Sequence, residues 1–125
     1  VFALAGVALP KDRSIDGRDI RPYLMPQAHE SNLPEFEFYY SWQDNMPSAL
    51  RVGPWKIHTR IASQTGNNYG FRASRDTPLL FQVEQDLGER IDRAGEQSKR
   101  VDKMMKKLTS FESQIRQEGS FWNTQ

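Results

Sequence analysis

The sequence predicts an α+β domain in which a small four-stranded antiparallel sheet packs against one long C-terminal helix. Three observations carry that expectation. Residues 35–42 alternate with period two, placing Phe36, Phe38, Tyr40 and Trp42 on one face and Glu35, Glu37, Tyr39 and Ser41 on the other. Two β-compatible runs, 49–52 and 55–61, flank Gly53-Pro54, a pair that interrupts strands and fits a tight antiparallel turn. After Asp86-Leu87-Gly88 the period changes, and Val101, Met104, Leu108, Phe111 and Ile115 recur at steps of three and four.

Each element follows from these patterns. In the third strand Trp55, Ile57, Thr59 and Ile61 share one face, and Lys56, His58 and Arg60 share the other. Residues 79–83 offer a fourth strand, with Pro78 at its start, where a missing N–H is tolerated. The helix is expected over 96–118, stopped by Gly119. Its apolar stripe must be buried, and the aromatic row Phe36, Phe38, Tyr40 and Trp42 is the expected floor beneath it. Arg51 faces an acid-rich strand, which predicts a structural ion pair.

At 125 residues one core is expected. Residues 1–33 read differently: Pro10, Pro22, Pro26 and Gly17 break regular structure repeatedly, leaving a linker with one short turn near 18–24. The apolar opening, 1–9, is too short to span a bilayer and has no basic segment before it, so it reads as the end of a helix. Phe2, Leu4 and Leu9 are expected to meet a neighbouring surface. No membrane partner is expected, and a net charge of +1 disfavours nucleic acid, whose binding rests on many clustered phosphate contacts.

The chain has no cysteine, which removes disulfides, thiolate metal sites and cysteine nucleophiles together. Acidic residues nowhere show the alternating oxygen-ligand spacing of a calcium loop. Binding chemistry is the better expectation. Lys56, His58 and Arg60 could present donors to a sulfate or an acidic sugar, or could form the solvated outer face that an antiparallel sheet needs. The loop 64–69 holds Gln64, Gly66, Asn67, Asn68 and Tyr69, a mixture suited to a sugar ring and equally to an ordinary turn. His29 has no partner at ligand spacing. Lys99, Arg100, Lys103, Lys106 and Lys107 give the helix a basic face, either solvated or open to an anionic polymer.

Several segments also resemble the sulfatases. Asp16-Gly17-Arg18-Asp19-Ile20-Arg21-Pro22-Tyr23-Leu24 is similar to the segment that leads out of the catalytic domain in that family, and Leu4-Ala5-Gly6-Val7-Ala8-Leu9-Pro10 resembles the end of the helix before it. Phe38-Tyr39-Tyr40, Ala49-Leu50-Arg51-Val52-Gly53 and Trp55-Lys56-Ile57-His58 resemble the family's C-terminal strands. Pro78-Leu79-Leu80-Phe81-Gln82-Val83, with Asp86, Gly88 and Glu89, resembles the strand and turn before its last helix, although Gln82 and Leu87 stand where an acid and a proline are usual. The order of these fragments across most of the chain is the specific feature.

The resemblance implies a linker over 1–33 and a C-terminal subdomain over 34–125. It implies a formylglycine and a calcium ion in a catalytic domain of the same parent protein, and no cofactor in this chain. Lys56, His58, Arg60, Gln64, Asn67 and Asn68 become the substrate-binding candidates, for a sulfated small molecule or glycan. A bacterial, periplasmic or secreted parent is expected. The formylglycine motif "(C/S)-x-P-S-R" is missing, and its nearest echo, Asn45-Met46-Pro47-Ser48-Ala49, lacks both the nucleophile precursor and the arginine. The alternative is a free-standing module that holds sulfated or acidic glycans without cleaving them.

Overall fold

A computed structural model of the chain describes residues 5–12, 19–24, 35–42, 46–61 and 72–118. The chain divides into two compact units, Val1–Pro34 and Glu35–Gln125. In the first, a single helical turn, α1 (Arg21–Leu24), begins where the Asp19 carboxylate accepts the Arg21 backbone N–H at 3.0 Å and its guanidinium at 2.6 Å. Leu9 is exposed; Phe2, Leu4 and His29 lie outside the described residues.

The second unit carries four strands, β1 (Glu37–Trp42), β2 (Met46–Val52), β3 (Trp55–His58) and β4 (Leu79–Gln82), followed by a 3₁₀ turn (Ala94–Glu96) and α2 (Ser98–Glu118). The strands form an antiparallel meander in the order β1-β2-β3-β4. Gly53-Pro54 joins β2 to β3 as a two-residue turn, with Val52 opposite Trp55. Gly53 takes a φ of +55°, which a Cβ would penalise, and proline's fixed φ suits the next position.

β2 starts earlier than the sequence predicts, at Met46. Tyr40 pairs with Ala49 but Ser41 pairs with Pro47, so Ser48 is an extra residue in a bulge. The bulge accommodates a proline inside a strand, and the Ser48 carbonyl is occupied by the Thr59 N–H and hydroxyl at 2.9 and 3.1 Å. β3 is correspondingly short: Thr59 closes onto this bulge, and the ladder ends at His58.

The helix covers one sheet face. Leu50, Ile57 and Leu80 stand side by side across β2, β3 and β4 and, with Met104 and Leu108 of α2, form the core; Tyr39, Val52, Trp55 and Val101 pack around it. The α+β arrangement is the predicted one. The aromatic floor is not: Tyr39 packs toward the helix, stacked on Phe111 with ring centroids 3.8 Å apart, whereas Phe38 and Tyr40 are 51% and 41% exposed. β1 is an edge strand, and α2 reaches it through the Tyr39–Phe111 stack and a Lys107–Glu37 ion pair, so the face that carries Glu37 and Tyr39 turns inward. Arg51 also departs from expectation, its Nε donating to the Gly53 carbonyl at 2.9 Å. On the helix, Lys107 is tied to Glu37 and Arg100 lies over the Trp55 ring at 4.5 Å, so the basic face is partly committed to packing. Among the described residues no helix is long and apolar enough to cross a membrane.

Candidate functional site

The sheet face away from α2 carries two kinds of surface. Leu79, Phe81 and Val83 form a second apolar cluster with Ile61 and Ala73. Beside it, Lys56 and His58 emerge from β3 on one side and Tyr40 from β1, because alternation sends these even-numbered residues opposite to Ile57 and Tyr39. The segment after β4 supplies their counter-charge. Lys56 Nζ donates to Glu89 Oε1 at 2.6 Å and His58 Nε2 meets Glu89 Oε2 at 2.7 Å, across more than thirty residues of sequence. Lys56 Nζ also lies 4.8 Å from the Tyr40 ring centroid, and the His58 ring meets Phe81 edge to face at 5.7 Å.

The Glu89 backbone is locked from both ends. After β4 the Gln82 carbonyl accepts the N–H groups of Gln85 and Asp86, and the Asp86 carboxylate accepts those of Arg90 and Ile91, both at 2.8 Å. Further on, Asp92 Oδ1 accepts the Leu80 and Ala94 N–H groups at 3.0 and 2.9 Å, tying the loop to β4 and opening the 3₁₀ turn. Glu89 itself sits at a φ of +51°, unusual for a residue with a side chain. A strained backbone is retained where its surroundings overdetermine it, and here it directs a carboxylate at Lys56 and His58.

Partial burial pushes the Glu89 carboxyl upward, but the hydrogen bonds and charge of His58 and Lys56 outweigh it and hold the group down at about 2. A depressed carboxyl stabilises the fold above its unfolded value of 4.5, and that contribution is lost as pH falls toward 2. With the Glu89 side chain 27% exposed, solvent screening leaves an expected contribution of about 1–2 kcal/mol. Urea denaturation of the wild type and Glu89→Gln at pH 7 and pH 3 checks this: the gap between them should narrow by roughly half of that amount at the lower pH, which still lies above the folded value of about 2, and a constant gap contradicts it.

The three groups line a groove of about 370 Å³, together with Tyr40, Ser41, Ser48 and Arg60. Lys56, His58 and Arg60, singled out as a basic row, are thus brought to one groove, but Glu89 opposes two of them. Gln64, Asn67 and Asn68 lie outside the described residues. Sequence reasoning treated Glu89 only as part of a turn motif. Its signal was the Asp86-Leu87-Gly88-Glu89 reversal directly after the strand that neighbours β3, which returns the chain over Lys56 and His58. Among the described residues no group of three His, Asp or Glu gathers as a metal site.

Comparison with known proteins agrees with this architecture. No family model matches the chain. An arylsulfatase of Hemicentrotus pulcherrimus is 32% identical over 110 residues, covering 69% of this chain and 19% of that protein. The steryl-sulfatases of Homo sapiens and Mus musculus are 32% and 34% identical, each covering 72% of this chain and 18% and 17% of their own length. The chain therefore spans less than a fifth of the curated relatives it matches. Among solved structures, a sulfatase described in connection with the metabolism of multiple glycosaminoglycans by Bacteroides thetaiotaomicron aligns over 90% of this chain and 23% of its own, with a TM-score of 0.60 and 19% identity, a likeness of fold. By these relationships the chain is a sulfatase homologue over one segment of those proteins, consistent with their C-terminal subdomain.

Proposed function

We propose that this chain is the accessory C-terminal subdomain of a sulfuric ester hydrolase and completes the substrate pocket of a formylglycine- and calcium-dependent catalytic domain in the same parent protein. The observation that carries the reading is the match to one segment of sulfatases about five times longer. The groove on the outer sheet face supports it. Lys56 keeps donors beyond the one it gives to Glu89, Arg60 adds a guanidinium, and the exposed Tyr40 ring offers a face on which a sugar can lie. Glu89 acts as the positioning residue. It fixes Lys56 and His58 before any substrate arrives, so no side-chain order has to be created on binding.

In this reading the chain binds and orients, while bond cleavage at sulfur belongs to the catalytic domain. Candidate contacts are Lys56, His58 and Arg60, with Gln64, Asn67 and Asn68 following in sequence. The 125-residue chain alone is therefore expected to show no turnover of a chromogenic aryl sulfate, with or without calcium and a formylglycine-generating enzyme. Turnover that survives purification and disappears on replacing a residue of this chain would overturn the accessory role.

A further inference from the structure

α2 carries its positive charge in a pattern that a merely solvated helix face does not need. Lys103 has a basic residue at every position that a helix sets beside it: Lys99 and Arg100 one turn before, Lys106 and Lys107 one turn after. Like charges three or four residues apart repel across a helix surface and weaken it. The first turn of α2 adds to that repulsion. It holds Lys99 and Arg100 and no acid, at the end where the backbone dipole favours negative charge.

The fold uses two of these five cations. Lys107 pairs with Glu37 of β1, and Arg100 lies over the Trp55 ring of β3 at 4.5 Å, a stack that fixes the side chain without neutralising it. Lys99, Lys103 and Lys106 are exposed, on the side of α2 opposite Val101, Met104 and Leu108, which pack on the sheet. The three lie within about 60° of one another around the helix axis and span about 10 Å along it. Asp102 flanks the row beside Lys106, and Glu35 stands by Lys103 and Lys107 on the other flank. Ammonium groups are point charges that hold an anion without dictating its orientation, which suits a repeating polyanion better than one shaped ligand. The sheet separates this row from the Lys56–His58–Glu89 groove, which opens on the face away from α2.

We infer that Lys99, Lys103 and Lys106, with Arg100 beside them, form a docking surface for a linear sulfated polysaccharide. Charge complementarity identifies a polyanion; the choice of sulfate esters over phosphates rests on the functional reading above, whereas the basic surface does not. A chain held here lies outside the groove, so the surface is an exosite that raises the local concentration of a polymeric substrate without touching the reacting group. An anionic membrane fits less well, because the apolar stripe of α2 is buried on the sheet and has nothing to insert. Bound sulfate groups supply counter-charge around Lys103 and offset the repulsion that the helix carries.

The test is a titration of the 125-residue chain with a heparin octasaccharide at physiological ionic strength. Saturable binding is expected, and the triple variant K99Q/K103Q/K106Q should bind at least about tenfold more weakly with an unchanged far-UV spectrum. Without ligand the same variant should fold more favourably, its equilibrium constant raised about two- to fivefold, because like-charge contacts have been removed. Absent binding, unaltered affinity in the triple variant, or a variant less stable than wild type overturns the docking surface. Equal affinity for a single-stranded polynucleotide or for phosphatidylserine vesicles overturns the sulfated polymer as its occupant. The loss of affinity in the triple variant should exceed that in His58→Ala, and the reverse order assigns the polymer to the groove and overturns the exosite. No arm requires a catalytic domain, so failure here leaves the role of the His58 groove standing, and failure there leaves this surface standing.

Discussion

Leu108→Ala is expected to destabilise the domain by about 2–5 kcal/mol, a large share of the stability of a chain this size. Leu108 is fully buried at the centre of the layer between α2 and the sheet, where it meets Leu50, Ile57 and Leu80. Removing its branch leaves a cavity that the β2–β3–β4 row cannot fill, because that row is held in register by its own ladder. Phe111→Ala should cost less, since Phe111 is only half-buried and its main loss is the stack on Tyr39. Lys106 is exposed on the opposite side of the helix, and Lys106→Ala should change stability by no more than about 0.5 kcal/mol. Urea denaturation of the three variants checks the ranking, and equal, small effects would contradict docking of α2 on this core.

Much of the fold could be read from local patterns, and its failures share one cause. Steps of three and four located α2 within two residues, since the stripe reflects one-sided burial along a single helix. Gly53-Pro54 located the β2–β3 turn because the turn needs those backbone angles. The face of β1 was misread because alternation supplies two candidate faces and does not say which one meets the helix. The aromatic row looked like core, yet Tyr39, alone on the acidic face, is the residue that stacks on Phe111. The Ser48 bulge was hidden for a related reason: register depends on the partner strand, and Pro47 gave only a hint of it.

At the site the balance is similar. Alternation along β3 correctly placed Lys56 and His58 on one face, opposite Ile57. What alternation could not supply is Glu89, more than thirty residues away, whose arrival depends on the Asp86 and Asp92 hydrogen bonds that fold the loop after β4. A row that reads as three unopposed bases is therefore a Lys56–His58–Glu89 cluster with Arg60 beside it. The distinction matters for the proposed function, because an anion bound there would meet donors already held by a carboxylate, and its binding energy would come from fixed geometry as much as from net charge.

The central claim is that this fixed cluster lines the substrate cleft of a sulfatase, and steady-state kinetics of the full-length parent enzyme test it most directly. His58→Ala removes one of the two groups that hold Glu89 and leaves that carboxylate paired with Lys56 alone. For a sulfated substrate long enough to reach the groove, kcat/KM is expected to fall by about 10- to 100-fold, the worth of one charge-assisted hydrogen bond. A small aryl sulfate extends only one ring from the reacting sulfur, too short in this reading to reach the groove, so its kcat/KM should stay within about twofold of wild type, because groups remote from the chemistry act only through the parts of a substrate they touch. A loss confined to the larger substrate is the predicted result; unchanged values for both would contradict a role for the Lys56–His58–Glu89 face in the cleft.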